Sequence, residues 1–211
     1  MILQSLVEYY DRKVAFDPGS LPEDGWELKR LPFLVEIRPD GSFVQIVDTR
    51  EPVGGRPVAG EFLVPLGPKR SVNLAPGLLW DNVEYVLGVP VNNDPSRVAK
   101  AHDAFRELIT SALAQSVSDP GISAVIRFLD HLPLQELQED AAWPELVTTN
   151  PFVTFRLAGD AQIVCRRPAV VAAIAGESGE PVGRCLITGQ VDRIARLHSS
   201  IRGVRGAKST G

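Results

Sequence analysis

The chain has 211 residues, of which 44% are hydrophobic, so it can bury a core as one large domain or as one domain with a small appendage. Its net charge of −4 and its pI near 5.4 argue against a uniformly basic nucleic-acid-binding protein. The N-terminus has no basic stretch followed by a long apolar run, which predicts neither a signal peptide nor a membrane span and indicates a cytoplasmic protein.

Charge is distributed unevenly along the sequence. Residues 193–211 contain no carboxylate and carry a local charge of +5 from Arg193, Arg196, Arg202, Arg205 and Lys208. Removing these five from the 22 Lys and Arg leaves 17 cations against 26 acids in residues 1–192, a net charge of −9. An acidic body with a basic segment suits a protein that presents one surface to nucleic acid; the alternative is a frayed basic tail.

The first elements are predicted from periodicity and turn residues. Apolar residues at helical spacing predict a short amphipathic helix within residues 2–10, with its apolar face packed in the core. The β-rich runs 33–37 and 43–47 flank the turn Arg38-Pro-Asp-Gly41 and predict a hairpin. Residues 54–57 are expected to form a loop, and residues 60–64 a third strand.

The segment after that strand is the main binding candidate. Pro65, Gly67 and Pro68 exclude regular structure and lead into a loop whose polar side chains are Lys69, Arg70, Ser71 and Asn73. No acidic residue lies between Glu61 and Asp81, so nothing in sequence neutralises the two cations. Cations on such a loop suit phosphates, whereas Ser and Asn side chains can contact base edges.

The run after the loop predicts a helix from Leu78 to Leu87, ended by a glycine. Trp80 could stack on a base, but a Trp beside two leucines favours core packing. Asn82 is expected to support the loop through hydrogen bonds from its side chain to the backbone. Asp81 and Glu84 would repel phosphate, so we expect the acidic face of this helix to turn away from DNA, or Asp81 to hold a loop cation.

The second half of the chain begins with two helices. The pairs Asp94-Pro95 and Asp119-Pro120 predict their starts. An acidic segment at 135–145 is expected to be a solvated surface helix or loop, or alternatively to face a protein partner. The remaining predicted elements are a hairpin of residues 152–157 and 162–165, an apolar helix at 168–175, a loop at 176–183 and a last strand at 184–188. The sequence therefore predicts an α+β fold, with a mostly antiparallel sheet built from β-hairpins, a packed helical pair and short additional helices.

Two cysteines, Cys165 and Cys185, are too few for a disulfide framework or a complete thiolate zinc site. His198 lies nearby in sequence, but a fourth ligand at zinc-finger spacing is missing. Two buried free thiols are favoured, and no metal or cofactor is predicted.

The basic segment has a pattern of its own. Glycines at 203 and 206 allow close backbone approach to a ligand, and the charge comes from Arg202, Arg205 and Lys208. His198 could add a hydrogen bond to a phosphate or a base. Alternation of cations with glycine favours a clamp on a sugar–phosphate chain.

Several of these stretches together resemble the large subunit of the type I-C CRISPR Cascade. The resemblance rests on residues 1–10 (MILQSLVEYY), Val64-Pro65 to Lys69-Arg70, residues 79–88 (LWDNVEYVLG), Ala195–His198 and Gly203–Ala207. Subunits of that family are longer than this chain. Residues 1–211 are therefore expected to be the N-terminal PAM-recognition domain of a longer subunit, with the basic glycine-containing segment 193–211 at its end.

The resemblance implies non-catalytic recognition of a double-stranded DNA target. In such a complex, guide RNA pairs with the target strand, and the large subunit reads the short flanking duplex motif, the PAM. The implied partners are PAM-containing double-stranded DNA, the crRNA 5′ handle, other Cascade subunits and a helicase-nuclease that is recruited later and supplies cleavage. Lys69 and Arg70 would then contact phosphates, and Ser71 and Asn73 would contact base edges.

An enzyme is not predicted. The sequence contains no Gly-x-Ser-x-Gly elbow, no P-loop, no dinucleotide fingerprint and no pair of His residues at metal spacing. The alternative function is a protein-interaction scaffold of the complex without direct DNA reading, or a docking site for a phage anti-CRISPR inhibitor.

Overall fold

The structure is a computed structural model that describes residues 2–17, 21–23, 25–68, 74–176 and 182–193. Its helices are α1 Ile2–Phe16, α2 Val83–Val86, α3 Pro95–Ala112, α4 Pro120–His131, α5 Leu134–Glu139, α6 Trp143–Thr149 and α7 Pro168–Gly176. Its strands are β1 Trp26–Arg30, β2 Phe33–Ile37, β3 Phe43–Asp48, β4 Glu51–Val53, β5 Arg56–Val58, β6 Glu61–Pro65, β7 Trp80–Asn82, β8 Phe152–Leu157, β9 Val182–Arg184 and β10 Val191–Arg193. The chain divides into two units, one of Met1–Leu21 with Ser178–Gly211 and one of Pro22–Glu177.

The first unit contains α1 and the antiparallel hairpin β9–β10. The predicted N-terminal helix is confirmed and extends to Phe16, but its predicted packing in the core is wrong. None of its residues is buried, and Ile2, Leu3 and Leu6 are 81%, 58% and 56% exposed. The predicted last strand at 184–188 is also wrong beyond its first residue, since a turn follows β9 directly.

The main sheet of the second unit has the strand order β3-β2-β8-β7. The predicted hairpin of β2 and β3 is confirmed, and its turn is closed by Gly41, which has φ +88° and donates its N–H to the carbonyl of Arg38 at 2.9 Å. Strand β8 runs parallel to β2 and antiparallel to β7. The other pairs are antiparallel, which confirms the α+β class with a mostly antiparallel sheet.

The predicted second hairpin is wrong. Residues Val164–Arg166 form a 3-10 turn, and only Ile163 bridges back to Arg156 on β8. The long-range partners β2 and β7 occupy both edges of β8 instead. The short apolar helix predicted after it is confirmed as α7.

The two predicted Asp-Pro helix starts are confirmed. Asp94 accepts the backbone N–H of Ser96 at the start of α3, and Asp119 accepts those of Gly121 and Ile122 at the start of α4. Helix α4 packs on β2 and β8, and α3 packs on α2 and α4. A buried edge-to-face pair, Phe128 of α4 and Phe155 of β8, lies at the helix–sheet contact with ring centroids 5.6 Å apart.

Two short strand pairs accompany the main sheet. The predicted third strand is confirmed as β6, but its partner is β1, which the sequence did not reveal. Residues 54–57, expected to be a loop, contain the turn and the start of the second strand of a hairpin, β4–β5. Proline and glycine are disfavoured in regular strands, so the sequence of this hairpin indicated a loop.

The acidic segment forms a largely exposed surface helix, as predicted, and it is also anchored to the sheet. Its helix α5 buries Leu137. Directly after α5, Asp140 accepts the backbone N–H of Ile46 on the outer strand β3 at 2.8 Å and that of Ala142 at 2.9 Å. The Asp140 carboxylate therefore accepts a hydrogen bond from a backbone N–H of the outer strand β3, whose free edge has no further strand to pair with.

Candidate nucleic-acid interface

The predicted contact residues of the loop lie outside the described residues. This applies to Lys69, Arg70, Ser71 and Asn73, and equally to the basic-segment residues His198, Arg202, Arg205 and Lys208. Both ends of the loop, residues 65–68 and 74–82, are described. The structure therefore shows what the loop is fastened to.

The N-terminal end of the loop is bound to β1. Beyond the last residue of β6, Leu66 donates its backbone N–H to the carbonyl of Gly25 at 2.8 Å. Gly67 donates its N–H to Oε1 of Glu27 at 3.0 Å. Strand pairing is thus prolonged past Pro65 by one backbone bond and one side-chain bond.

The Trp80 side chain contacts residues at both ends of the loop. Its side chain is buried, and its indole N–H donates to the carbonyl of Pro65 at 2.8 Å. A Cβ atom on Gly67 would lie 2.9 Å from the indole Cζ2, and one on Gly77 would lie 3.1 Å from Cε2 and collide with the carbonyl of Trp80. Both glycines can lie this close to Trp80 only because they lack side chains. Trp80 is a core residue, which confirms the core packing predicted from the two leucines beside it.

The residue before Trp80 has an unusual backbone. Leu79 is fully buried and has φ +65°, a conformation that is uncommon for a bulky side chain. The hydroxyl of Thr154 on β8 donates to the Leu79 carbonyl at 2.8 Å, and the thiol of Cys165 lies 3.8 Å from the same oxygen. The central sheet thus stabilises the turn at the C-terminal end of the loop.

Asp81 fastens this end of the loop and is fully buried. Its Oδ2 accepts the backbone N–H of Gly77 at 2.8 Å, and its Oδ1 accepts that of Asn82 at 2.7 Å. The predicted helix from Leu78 is wrong, because β7 occupies residues 80–82 and α2 begins only at Val83. The helix end is confirmed, with Gly88 at φ +65°.

Glu84 is also buried, so neither carboxylate lies on an exposed face of α2. The orientation of these acidic residues away from DNA, and the alternative that Asp81 holds a loop cation, stay predictions. Oε1 of Glu84 accepts three backbone N–H groups, those of Val91, Asn92 and Asn93, at 2.7–3.0 Å. Its Oε2 accepts the side-chain amides of Asn93 at 2.6 Å and Asn150 at 3.1 Å. Burial raises the pKa of Glu84, but these hydrogen bonds outweigh burial and hold that pKa below its ordinary value.

Asn82 caps the short helix α2. Its Oδ1 accepts the backbone N–H of Tyr85 at 3.3 Å. The side chain therefore makes a hydrogen bond to the backbone, as expected, but the described bond goes to the helix that follows the loop. Its role in supporting the loop stays a prediction.

Sequence reasoning missed one cation at this site. Lys29 on β1 places its Nζ 4.7 Å from the ring centroid of Trp80 and 4.0 Å from that of Phe152. The two rings themselves form an edge-to-face pair with centroids 5.6 Å apart. The position of Lys29 could have been predicted only if β1 had been recognised as an alternating strand that pairs with β6, where Lys29 lies opposite Phe62.

Neither a metal cluster nor a pair of buried thiols is found among the described residues. Within the described residues, no group of three His, Cys, Asp or Glu side chains is placed to hold a metal ion. The prediction of two buried thiols is correct for Cys165 and wrong for Cys185, which is exposed. Among the helices of the described part of the chain, none is long and apolar enough to cross a membrane.

Comparison with known families gives the chain its affiliation. Residues 6–211 match the family model described as CRISPR-associated protein (Cas_Csd1). A search of curated proteins found no match. Because the match covers almost the whole sequence, including both ends of the candidate loop, the chain belongs to the Cas_Csd1 family of CRISPR-associated proteins, the large-subunit family of type I-C Cascade.

Proposed function

We propose that this chain recognises the double-stranded DNA target of type I-C Cascade at its PAM, without catalysing cleavage. Lys69 and Arg70 contact phosphates of the PAM duplex, and Ser71 and Asn73 contact base edges. Base pairing by guide RNA reads the remainder of the target, so a small protein site is sufficient. Membership in a Cascade family supports this division of labour.

The observation that carries the proposal is the anchoring of the loop. Its first end is bound to β1 and to the indole N–H of Trp80, and its second end to the buried carboxylate of Asp81. A loop that contacts base edges has to present its side chains in one register, and a rigid base reduces the entropy lost on binding. The anchored ends therefore favour a recognition loop over an incidental connection.

The basic segment supplies the second part of the proposal. Arg202, Arg205 and Lys208, with His198, contact the backbone of the DNA or of the crRNA 5′ handle. Neighbouring Cascade subunits that hold the handle are the protein partners. The helicase-nuclease recruited after target binding performs the cleavage, and the complex acts in the cytoplasm.

The test uses Cascade assembled with variant subunits and a library of duplexes that differ at the PAM. Lys69→Ala and Arg70→Ala should weaken binding to all duplexes and each reduce the slope of log affinity against log salt by about 0.9. Asn73→Ala should relax PAM preference by about 1–3 kcal/mol with a smaller change in affinity for non-PAM duplexes. Arg56→Ala, which removes an exposed cation from β5, is the matched control.

The outcomes separate recognition from non-specific attraction. Equal losses for Arg56→Ala and Arg70→Ala would show that only the overall charge matters. Unchanged PAM preference and affinity in all three loop variants would refute a role for residues 69–73 in recognition. Metal-dependent cleavage of the duplex by the purified subunit would refute the non-catalytic assignment.

One observation favours the alternative of a protein-interaction scaffold or an anti-CRISPR docking site. Helix α1 has an apolar face with no buried residue, and Leu3, Leu6 and Tyr10 are all exposed. An apolar helix face of this kind suits contact with another protein. Leu3→Glu with Leu6→Glu should then abolish incorporation into Cascade while leaving the thermal stability of the isolated subunit unchanged.

A further inference from the structure

A cleft lies beside the C-terminal end of the candidate loop. It has a volume of about 190 Å³ and is formed by Leu74, helix α2 and the first turns of α3, with Asn82, Glu84, Asn93 and Arg97 among its lining residues. Leu74 follows Asn73 directly in the chain, and consecutive Cα atoms are about 3.8 Å apart. A residue that lines the cleft is therefore the direct chain neighbour of Asn73, the residue proposed to contact a base.

Charge at the mouth of this cleft is not balanced internally. Arg97 is exposed and forms no ion pair or hydrogen bond through its guanidinium with any described residue. Three other arginines of the same unit, Arg50, Arg106 and Arg156, each pair with a carboxylate, whereas the exposed Arg56 resembles Arg97 in having no such partner among the described residues. The Arg97 guanidinium is therefore available to bind an external anion at the cleft.

The carboxylates near Arg97 are engaged elsewhere. Glu84 lines the cleft, but its two oxygens accept five hydrogen bonds from backbone and amide groups. Asp94 caps α3, and its Oδ1 accepts both the N–H and the hydroxyl of Ser96. Neither side chain neutralises the Arg97 guanidinium by a direct contact.

We propose that Arg97 binds a backbone phosphate of the PAM duplex next to the nucleotides contacted by the loop, with the adjoining sugar entering the cleft. The inference rests on the proposed function, since it extends the same interface. The cleft is smaller than the roughly 300–1,000 Å³ typical of small-molecule sites, and its size suits one sugar–phosphate unit. A guanidinium offers paired donors that match phosphate oxygens, and Asn82 is a further polar residue that lines the cleft.

The test measures duplex binding by assembled Cascade carrying Arg97→Ala, Arg97→Lys or Lys100→Ala. Lys100 is the matched control, because it is an exposed cation three residues further along α3 that does not line the cleft. Arg97→Ala should weaken binding roughly 10-fold for PAM and non-PAM duplexes alike and reduce the salt slope by about 1. Arg97→Lys should restore the slope and only part of the affinity, whereas Lys100→Ala should change neither.

Several outcomes would overturn the inference. Equal effects of Arg97→Ala and Lys100→Ala would show diffuse electrostatics, and reduced incorporation of the Arg97→Ala subunit into Cascade would show a protein contact instead. If Lys69→Ala and Arg70→Ala weaken binding but Arg97→Ala does not, only this inference fails. If Cascade with the unaltered subunit shows no PAM preference, the proposed function fails independently.

Discussion

Glu84 and Asn150 hold each other at two points. The side-chain amide of Asn150 donates to Oε2 of Glu84 at 3.1 Å, and the backbone N–H of Glu84 donates to Oδ1 of Asn150 at 3.2 Å. The two residues are 66 positions apart in sequence. This pair therefore fixes helix α2, which follows the candidate loop, to the end of α6, which precedes the central strand β8.

Replacing the Glu84 carboxylate should lower stability strongly. Glu84→Gln leaves one carbonyl oxygen where five donors converge and points an amide group at some of them, so we expect a loss of about 3 kcal/mol in the free energy of unfolding. Urea unfolding followed by tryptophan fluorescence measures the change. Glu107→Gln, on the exposed side of α3, is the control and should change stability by less than about 0.5 kcal/mol.

The Glu84 contribution should also depend on pH. Because hydrogen bonds hold the pKa of Glu84 below its ordinary value of 4.5, its stabilising effect is complete above that pH and is lost as the pH falls through the lower folded-state pKa. The stability difference between the unaltered chain and Glu84→Gln should therefore narrow in acid. A difference that is constant from pH 7 to pH 3 would contradict this assignment.

Substitutions of Asn150 should separate backbone strain from lost hydrogen bonds. Asn150 ends α6 in a left-handed conformation, with φ 49° and ψ 52°. Asn150→Gly and Asn150→Ala both remove the two bonds to Glu84, but only Ala pays the left-handed penalty of about 1–2 kcal/mol. The Ala variant should unfold at a lower urea concentration than the Gly variant; equal midpoints would show that the conformation relaxes.

Local sequence signals predicted the elements that depend on neighbours in the chain. The Pro-Asp-Gly turn of β2–β3 and the Asp-Pro starts of α3 and α4 were all recognised, because each is stabilised within a few residues. The same holds for the apolar helix α7. These are the parts of the fold where propensity and tertiary structure agree.

Elements that depend on distant partners were missed. Strand β7 is three residues long and exists because β8 pairs with it, whereas the apolar spacing of residues 78–87 around it looked helical. The burial of Asp81 and Glu84 could not be predicted, because their donors come from a turn and from loops whose approach is set by the whole fold. The cleft below Arg97 has the same origin.

The two thiols should differ sharply in reactivity. Burial raises the pKa of Cys165 to about 12, whereas hydrogen bonds from the Thr188 hydroxyl and the nearby backbone lower the pKa of the exposed Cys185 below its ordinary value of 9.0. A maleimide at neutral pH should label one thiol in the native chain and both in urea. Cys185→Ser should remove the native label, and Thr188→Val should slow labelling, whereas Thr188→Ser should not.

Trp80→Phe should test whether recognition requires a fixed loop base. The substitution keeps an aromatic ring but leaves the Pro65 carbonyl without its indole donor, so we expect a loss of about 1–3 kcal/mol in the free energy of unfolding. If the proposed recognition by residues 69–73 depends on this anchor, PAM preference should weaken more than the salt-dependent affinity. The measurements are urea unfolding of the subunit and PAM-library binding by assembled Cascade at a temperature where the variant is fully folded.

Trp143→Phe provides the control for this substitution. Trp143 begins α6 and is half-buried against the same core, and no described residue accepts a hydrogen bond from its indole N–H. Its replacement should cost stability through lost packing while leaving PAM preference intact. If both variants preserve PAM preference, anchoring of the loop by Trp80 serves the stability of the fold alone, and the recognition register is set by the DNA contacts themselves.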